Sequence, residues 1–319
     1  MRALFWPGAI ACLALAFALT RTVGNEYVFF AGFVILQFVV LATAWNVLGG
    51  YCGYINFGTP AFVAVGAYTA VLLGKWQNAP LILQIAAGAA VAGALGFALG
   101  VMTLRLKGIF FAIATVAVSV ILETAFLNWP YLGGARGIMV VRPMEAPLVG
   151  TYTRLLFVVM AVLAIVAVAS ARAIERSAFG RALNAIRDDE LAAECAGVPT
   201  LRLKLVAATV SGALMGAAGA PLPAYLNYLD PGSAFSLNYA VSALAMPMIG
   251  GTQHWVGPVI GALLLGVLQQ AASVTVASEL NVLIVGLLLI LAVVAAPRGL
   301  VGLAQEARTR RRERGGAVR

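Results

Sequence analysis

Apolar runs of about twenty residues recur along nearly the whole of this 319-residue chain, and no other feature restricts its fold as much. At ~1.5 Å per residue, a helix of that length crosses the ~30 Å hydrocarbon layer of a bilayer. Ten apolar stretches can be read, one of them short, at roughly 3–20, 27–48, 58–74, 80–104, 108–127, 154–171, 205–229, 239–249, 258–278 and 281–297. The charge supply agrees, with 10% of residues charged and 62% apolar. Soluble domains carry roughly 25% and 45–50%, so this chain cannot coat a water-facing globule, and it is too apolar to stay disordered. The expected fold class is all-α, a polytopic integral membrane protein of about ten transmembrane helices, some broken or short.

The first run has the look of a signal peptide, with Arg2 ahead of it and the small residues Ala16 and Ala18 near its end. Trp6-Pro7 interrupts the basic leader, and a second run follows closely, so an uncleaved first helix is expected. With the N-terminus in the cytoplasm, the inside segments hold 16 of the 21 Lys and Arg residues and the outside segments 5. That bias predicts both termini inside. It also accounts for the net charge of +9 by contact with a lipid bilayer, and nucleic acid is not expected as a partner. One transmembrane domain is expected over 1–304, followed by a basic cytoplasmic tail over 305–319 that suits anionic lipid.

Two gaps exceed a tight turn. The outside gap, 128–153, is punctuated by Gly and Pro and reads as irregular structure. The inside gap, 172–204, holds six basic and five acidic residues. From Arg181 to Gly197 it is rich in Ala, Leu, Glu and Arg, which predicts one helix outside the bilayer, ended by Gly197 and Pro199. A solvated loop that merely joins two spans would not need a helix there.

The run at 239–249 is too short to cross alone, and it leads into the Gly- and Pro-interrupted stretch 249–258. A similar interruption follows Gly49-Gly50, where YCGYINFG precedes Thr59-Pro60 and the next run. Unwound backbone at membrane depth survives only against protein or a water-filled cavity, so the pair points to a translocation pathway. The other reading is two ordinary loops. Asn56, Thr59, Glu123 and Gln269 are the candidate pathway residues. Glu123 is the one carboxylate inside an apolar run, although its position lets it reach water beside Asn128 and Trp129. Asn56 and Gln269 fit either a cavity or a bond between helices. The glycine pairs Gly49/Gly53, Gly96/Gly100, Gly212/Gly216 and Gly257/Gly261 predict close helix packing.

Catalytic and cofactor chemistry have no footing. Cys12, Cys52 and Cys195 are scattered, His254 stands alone, and neither a metal-ligand spacing nor a GxxxxGK[ST] phosphate loop occurs. Nothing resembles a catalytic set, no metal or other cofactor is implied, and a carrier driven by ions would show more carboxylates or histidines within its spans.

Taken in order, GYCGYINFGTP (50–60), RLKGIFFAIATVAVSVIL (105–122), GGARGI (133–138), the stretch from SAFGRALNAIRDDELAAECAGVP to AAGA (177–220), GGTQHWVGPVIGALLLG (250–266) and APRGLVG (296–302) carry a resemblance. The chain resembles the membrane permease subunits of branched-chain amino-acid ABC importers, and is most similar to their M-type subunit. The resemblance implies an all-helical permease in a bacterial inner membrane that forms half of a translocation pathway. It implies as partners a second homologous permease, two cytoplasmic ATP-binding subunits that carry the ATPase activity, and a periplasmic solute-binding protein. It implies an ATPase-coupling role for Gly180, Arg181, Ile186, Arg187, Asp188, Glu194, Ala196 and Gly197. GTP at 58–60, Pro221 and Pro223 depart from the family pattern, which leaves urea, short amides or a sugar open as solutes. A stand-alone secondary carrier is the alternative of another class.

Overall fold

A computed structural model of the chain describes residues 5–103, 106, 108–141, 145–146 and 150–275, with positions 286, 300 and 302. Apart from position 286, the expected last span at 281–297 lies outside them, as does the tail at 305–319.

The helices follow the apolar runs. In chain order they are α1 (Phe5–Thr22), α2 (Glu26–Leu48), α3 (Thr59–Gln77), α4 (Leu81–Thr103), α5 (Ile109–Leu127) and α6 (Tyr152–Arg176). Two short helices, α7 (Ala178–Asp188) and α8 (Glu190–Cys195), precede α9 (Thr200–Gly219), α10 (Leu222–Leu226), α11 (Pro231–Ala234), α12 (Leu237–Gly250) and α13 (Val256–Thr275). The fold is all-α and polytopic. Among the described residues, six helical stretches are long and apolar enough to cross a membrane: α1, α2, α4, α5, α6 and the segment Thr200–Leu226 that joins α9 to α10. Shorter apolar stretches occupy α3 and α13. Helix α12 has 14 residues, about 21 Å at 1.5 Å per residue, and Pro247 lies inside it. Among the described residues the remaining regular structure is two 3-10 turns, Pro130–Leu132 and Gly134–Arg136, and four two-residue strands: β1 (Ile138–Met139), β2 (Glu145–Ala146), β3 (Gly150–Thr151) and β4 (Tyr228–Leu229).

Helix α2 is the hub. It packs against α6, α9, α12 and α13, and from Gln37 to Leu48 every residue is buried. Helices α3, α4 and α9 form the tightest group, and glycine makes it so. A Cβ on Gly66 of α3 would overlap the backbone of Gly216 on α9, and one on Gly216 would overlap Ala92 on α4. Removing side chains lets the backbones close to dispersion distance, the chief attraction between helices in lipid. Gly96, Gly212 and Gly216 serve this face, and Gly257 and Gly261 join α13 to α12 at Gly250 and Met246 in the same way. The Gly49/Gly53 pair does not. Gly49 abuts Trp45 of its own helix, and Gly53 lies in the following turn at φ +80° with the Arg187 side chain beside it.

The bundle has two distinct ends. At the hairpin end, β1 pairs antiparallel with β4, Ile138 opposite Leu229, and the Tyr228 hydroxyl donates to the Arg136 carbonyl at 2.8 Å. Arg154 reaches Glu26 at 2.9 Å there. β1 is thereby joined to the segment after α10, and the first turn of α6 to the start of α2. The opposite, charged end gathers residues 49–58, 172–199 and 251–255.

Candidate functional site: the charged end of the bundle

The chain leaves α6 through a single residue. The Ser177 hydroxyl donates to the Ile174 carbonyl at 2.7 Å and accepts from the Gly180 amide at 3.1 Å, capping α7. Gly180 then passes so close to α6 that a Cβ would overlap the Ile174 carbonyl oxygen. The helix expected over 181–197 is in fact two. Asp189 is extended, at φ −159° and ψ 107°, and its carboxylate accepts from the amides of Leu191 and Ala192. An aspartate that bonds its own downstream amides offers the backbone an alternative to continuing the helix, and the chain turns there. Gly197 closes α8 at φ +84°, with its amide donating to Glu194 and the Val198 amide to Ala193, a left-handed cap that favours glycine. Thr200 donates to Glu194 at 2.6 Å and so joins α8 to the first turn of α9.

This pair of helices is amphipathic. Leu183, Ile186 and Ala193 are buried in a cluster with Val47, Leu48, Tyr51 and Ala207. Arg181, Asp188, Glu194, Ala196 and Gly197 are exposed on the other side, as is Leu191, at 65%. Of the eight residues expected in coupling, Gly180 and Ile186 seat the pair on the bundle, and Arg187 reaches inward.

What the pair rests on is the interruption before α3. Arg187 Nη1 donates to the Gly50 carbonyl at 3.2 Å, and its stem crosses Gly53, where a Cβ would come within 2.8 Å of Arg187 Cγ. The Tyr54 hydroxyl donates to Glu190 Oε2 at 2.6 Å. Lys204, 3% exposed, donates to the Tyr54 oxygen at 3.0 Å and ion-pairs with Glu190 Oε1 at 2.8 Å. Burial, and then the Glu190 carboxylate, pushes the Tyr54 phenol up from its ordinary value. Cys52 beside it is raised to about 12 by burial, against a smaller opposing pull from Lys204.

The second interruption docks on the first. Asn46 Nδ2 donates to the Thr252 carbonyl at 3.0 Å. Glu175, near the end of α6, accepts from the Trp255 amide at 2.6 Å and from the Tyr51 hydroxyl at 3.4 Å, with His254 Nε2 at 3.7 Å. Desolvation, and then Glu175, raises the Tyr51 phenol. Inside the first interruption, the Asn56 side chain accepts from the Gly58 amide at 2.7 Å, its carbonyl accepts from the Trp45 indole at 2.7 Å, and the Phe57 amide donates to Thr115 at 3.1 Å. Thr59 opens α3 fully buried, and its hydroxyl has no hydrogen-bond partner among the described residues.

The four candidate pathway residues do not converge. Asn56 and Thr59 stand together in front of α3. Glu123 is half-buried near the other end of α5. Gln269, on α13, donates to Ser242 at 3.3 Å and lines a cavity of about 350 Å³ with Gln37, Tyr225 and Asn238 that none of the other three lines. A larger cavity, about 900 Å³, opens at the charged end. Ile55, Ile109 and Leu244 supply its apolar wall, and Arg187, Asp188 and Glu190 its charged one.

Sequence reasoning missed Tyr54, Glu175, Glu190 and Lys204 as members of one site. Glu190 reads as part of a solvated acidic run, and its partners Tyr54 and Lys204 lie 136 and 14 positions away, outside any local spacing rule. The available signal was a lysine at the edge of an apolar run, which at such a depth requires a partner.

The profile of the family described as "Branched-chain amino acid transport system / permease component" matches residues 27–293. The high-affinity branched-chain amino acid transport system permease protein LivM of Escherichia coli (strain K12) is 28% identical, over 92% of this chain and 74% of its own. LivM of Salmonella typhimurium is 28% identical over 83% of this chain and 67% of its own. The L-arabinose ABC transporter permease protein AraH of Azospirillum brasilense is 27% identical over 82% and 67%. No solved structure matches. An all-helical polytopic bundle, two apposed interruptions and a charged helical pair at one end are what these residues build, and the chain belongs to the branched-chain amino-acid family of ABC transporter permease components.

Proposed function

We propose that this chain forms half of the translocation pathway of an ABC importer for branched-chain or related amino acids. The observation that carries this reading is the seating of α7 and α8 on residues 50–54. A charged helical pair outside the apolar bundle, joined to α6 through one residue and to α9 through Glu194–Thr200, suits a lever through which separate subunits move the spans. Two cytoplasmic ATP-binding subunits press on its exposed face, where Arg181, Asp188, Glu194, Ala196 and Gly197 lie. A second homologous permease completes the pathway, and a periplasmic binding protein delivers solute at the hairpin end. In this reading about ten spans cross a bacterial inner membrane with both termini in the cytoplasm, within a transmembrane domain over 1–304. The 172–204 segment is cytoplasmic, 128–153 is periplasmic and the tail at 305–319 lies on the cytoplasmic side. In this reading the 900 Å³ cavity beside the lever is the inner mouth of the pathway, and Asn56, Thr59, Glu123 and Gln269 are the candidate residues along the route.

Co-purification of the chain with its bound subunits, then reconstitution into liposomes with ATP on the cytoplasmic side, tests the reading. Uptake of leucine, isoleucine or valine that requires ATP and binding protein is expected. Uptake of L-arabinose instead would assign the solute to the sugar branch that AraH represents, and gradient-driven uptake by the chain alone would replace the reading with a secondary carrier. Glu123→Gln is expected to lower uptake; unchanged uptake with an unchanged pH profile removes Glu123 from the route.

A further inference from the structure

The lever touches two parts of the bundle that a simple connecting segment would not join. Through Thr200 and Lys204 it holds α9, and through Gly50 and Tyr54 it holds the interruption before α3, although these lie about 150 residues apart in the chain. We infer that Tyr54, Glu190 and Lys204 are positioning residues that latch α8 to residues 50–58, so that movement of the lever is passed to the mouth of α3 and not to α9 alone.

Three features of the cluster support transmission over mere filling. The Lys204 side chain is 3% exposed and that of Glu190 15%, so the ammonium is buried and the carboxylate is largely shielded at the cavity wall. Geometry there is governed by charge-assisted bonds, which resist sliding more than apolar contacts do. Tyr54 bonds both members at once, donating to Glu190 and accepting from Lys204. One tyrosine in the interruption therefore follows either helix. Beyond Tyr54 the contacts continue: the Asn56 carbonyl bonds Trp45, its side chain fixes the Gly58 amide, and Phe57 bonds Thr115 of α5. A displacement at Glu190 thus has a bonded route to α2, α3 and α5. Ile55, 47% exposed, lines the 900 Å³ cavity on that route.

The latch rests on the lever reading of α7 and α8, and the experiment separates the two. The assembled transporter is prepared with Cys12, Cys52 and Cys195 replaced by Ser, carrying either Leu191→Cys on the exposed face of α8 or Ile55→Cys in the cavity. Leu191→Cys should crosslink to an ATP-binding subunit, and no adduct in an active complex would overturn the lever reading and the latch with it. Ile55→Cys should change its rate of maleimide labelling when ATP is added. Tyr54→Phe, and the neutral pair Glu190→Gln/Lys204→Met, which retains bulk without leaving a buried charge unmatched, should keep the crosslink, subunit co-purification and ATP hydrolysis. They should lose the ATP-dependent change at position 55, with solute moved per ATP falling about tenfold, the scale of one charge-assisted bond. Variants that crosslink and still show the full labelling change and solute yield would overturn the latch while leaving the lever intact.

Discussion

Asn46 Nδ2 lies 3.0 Å from the Thr252 carbonyl, and this bond joins the two places where the apolar pattern is interrupted. Asn46 is fully buried, four residues ahead of Gly50, while Thr252 follows the end of α12. Removal of the side chain strips the half-buried Thr252 carbonyl of its donor, at a cost of about 1 kcal/mol. Asn46→Ala should lower the thermal midpoint of the purified transporter by several degrees, as read by aggregation of detergent-solubilised protein. An unchanged midpoint would mean that the two interruptions are held by other contacts.

Gly216 tests the glycine face. A Cβ there meets Ala92 and the Gly88 carbonyl, both on α4 and neither able to rotate away. Gly216→Ala should destabilise the bundle by ~1–3 kcal/mol through overpacking. Gly24→Ala, with nothing within 4 Å of its Cβ, should be close to neutral in the same assay.

Gly197 poses the opposite case. A Cβ would meet nothing within 4 Å, but the backbone sits at φ +84°. The expected order of coupled transport is Gly ≥ Asn > Ala > Val, with Ala costing about 1–2 kcal/mol of local stability. If Ala matched Gly, the left-handed cap would have no part in holding α8.

Cys52 and Cys195 should differ sharply in alkylation. Cys195 is exposed and Cys52 buried, and burial raises the Cys52 thiol to about 12. The thiolate is the nucleophile, so iodoacetamide at pH 8.5 should modify Cys195 in minutes and spare Cys52 until the protein is denatured. A folded-state value above the unfolded one gives stability that is present below the ordinary thiol range and is lost as pH rises toward 12. Cys52→Ser should therefore flatten the alkaline arm of the stability profile. Fast native labelling of Cys52 would contradict the packing of the 50–58 turn.

The runs that became α1 to α6 were legible because lipid-spanning helices satisfy their backbone internally and show it as uninterrupted apolar length. The outlines agree to within a few residues; the run read at 108–127 is α5 at Ile109–Leu127. Two local features were misread. The stretch 181–197 has the composition of one helix, yet Asp189 turns it into two by bonding the amides of Leu191 and Ala192. Helix propensity sums over residues and is blind to a single cap. Gly49 and Gly53 have the spacing of a packing face, but that spacing means nothing once the helix has ended at Leu48.

The sequence alone determined that this chain is a bundle of apolar helices carrying one charged helical segment, because hydrophobic length and local propensity act within a few residues of each other. Only the tertiary structure decided that Lys204 meets Glu190 and Tyr54, that Glu175 binds both interruptions, and that α7 and α8 rest on the turn before α3. Those contacts span 14 to 150 residues. They arise because a charge or amide buried at the end of a bundle must find a partner wherever the packing of the helices brings one within reach.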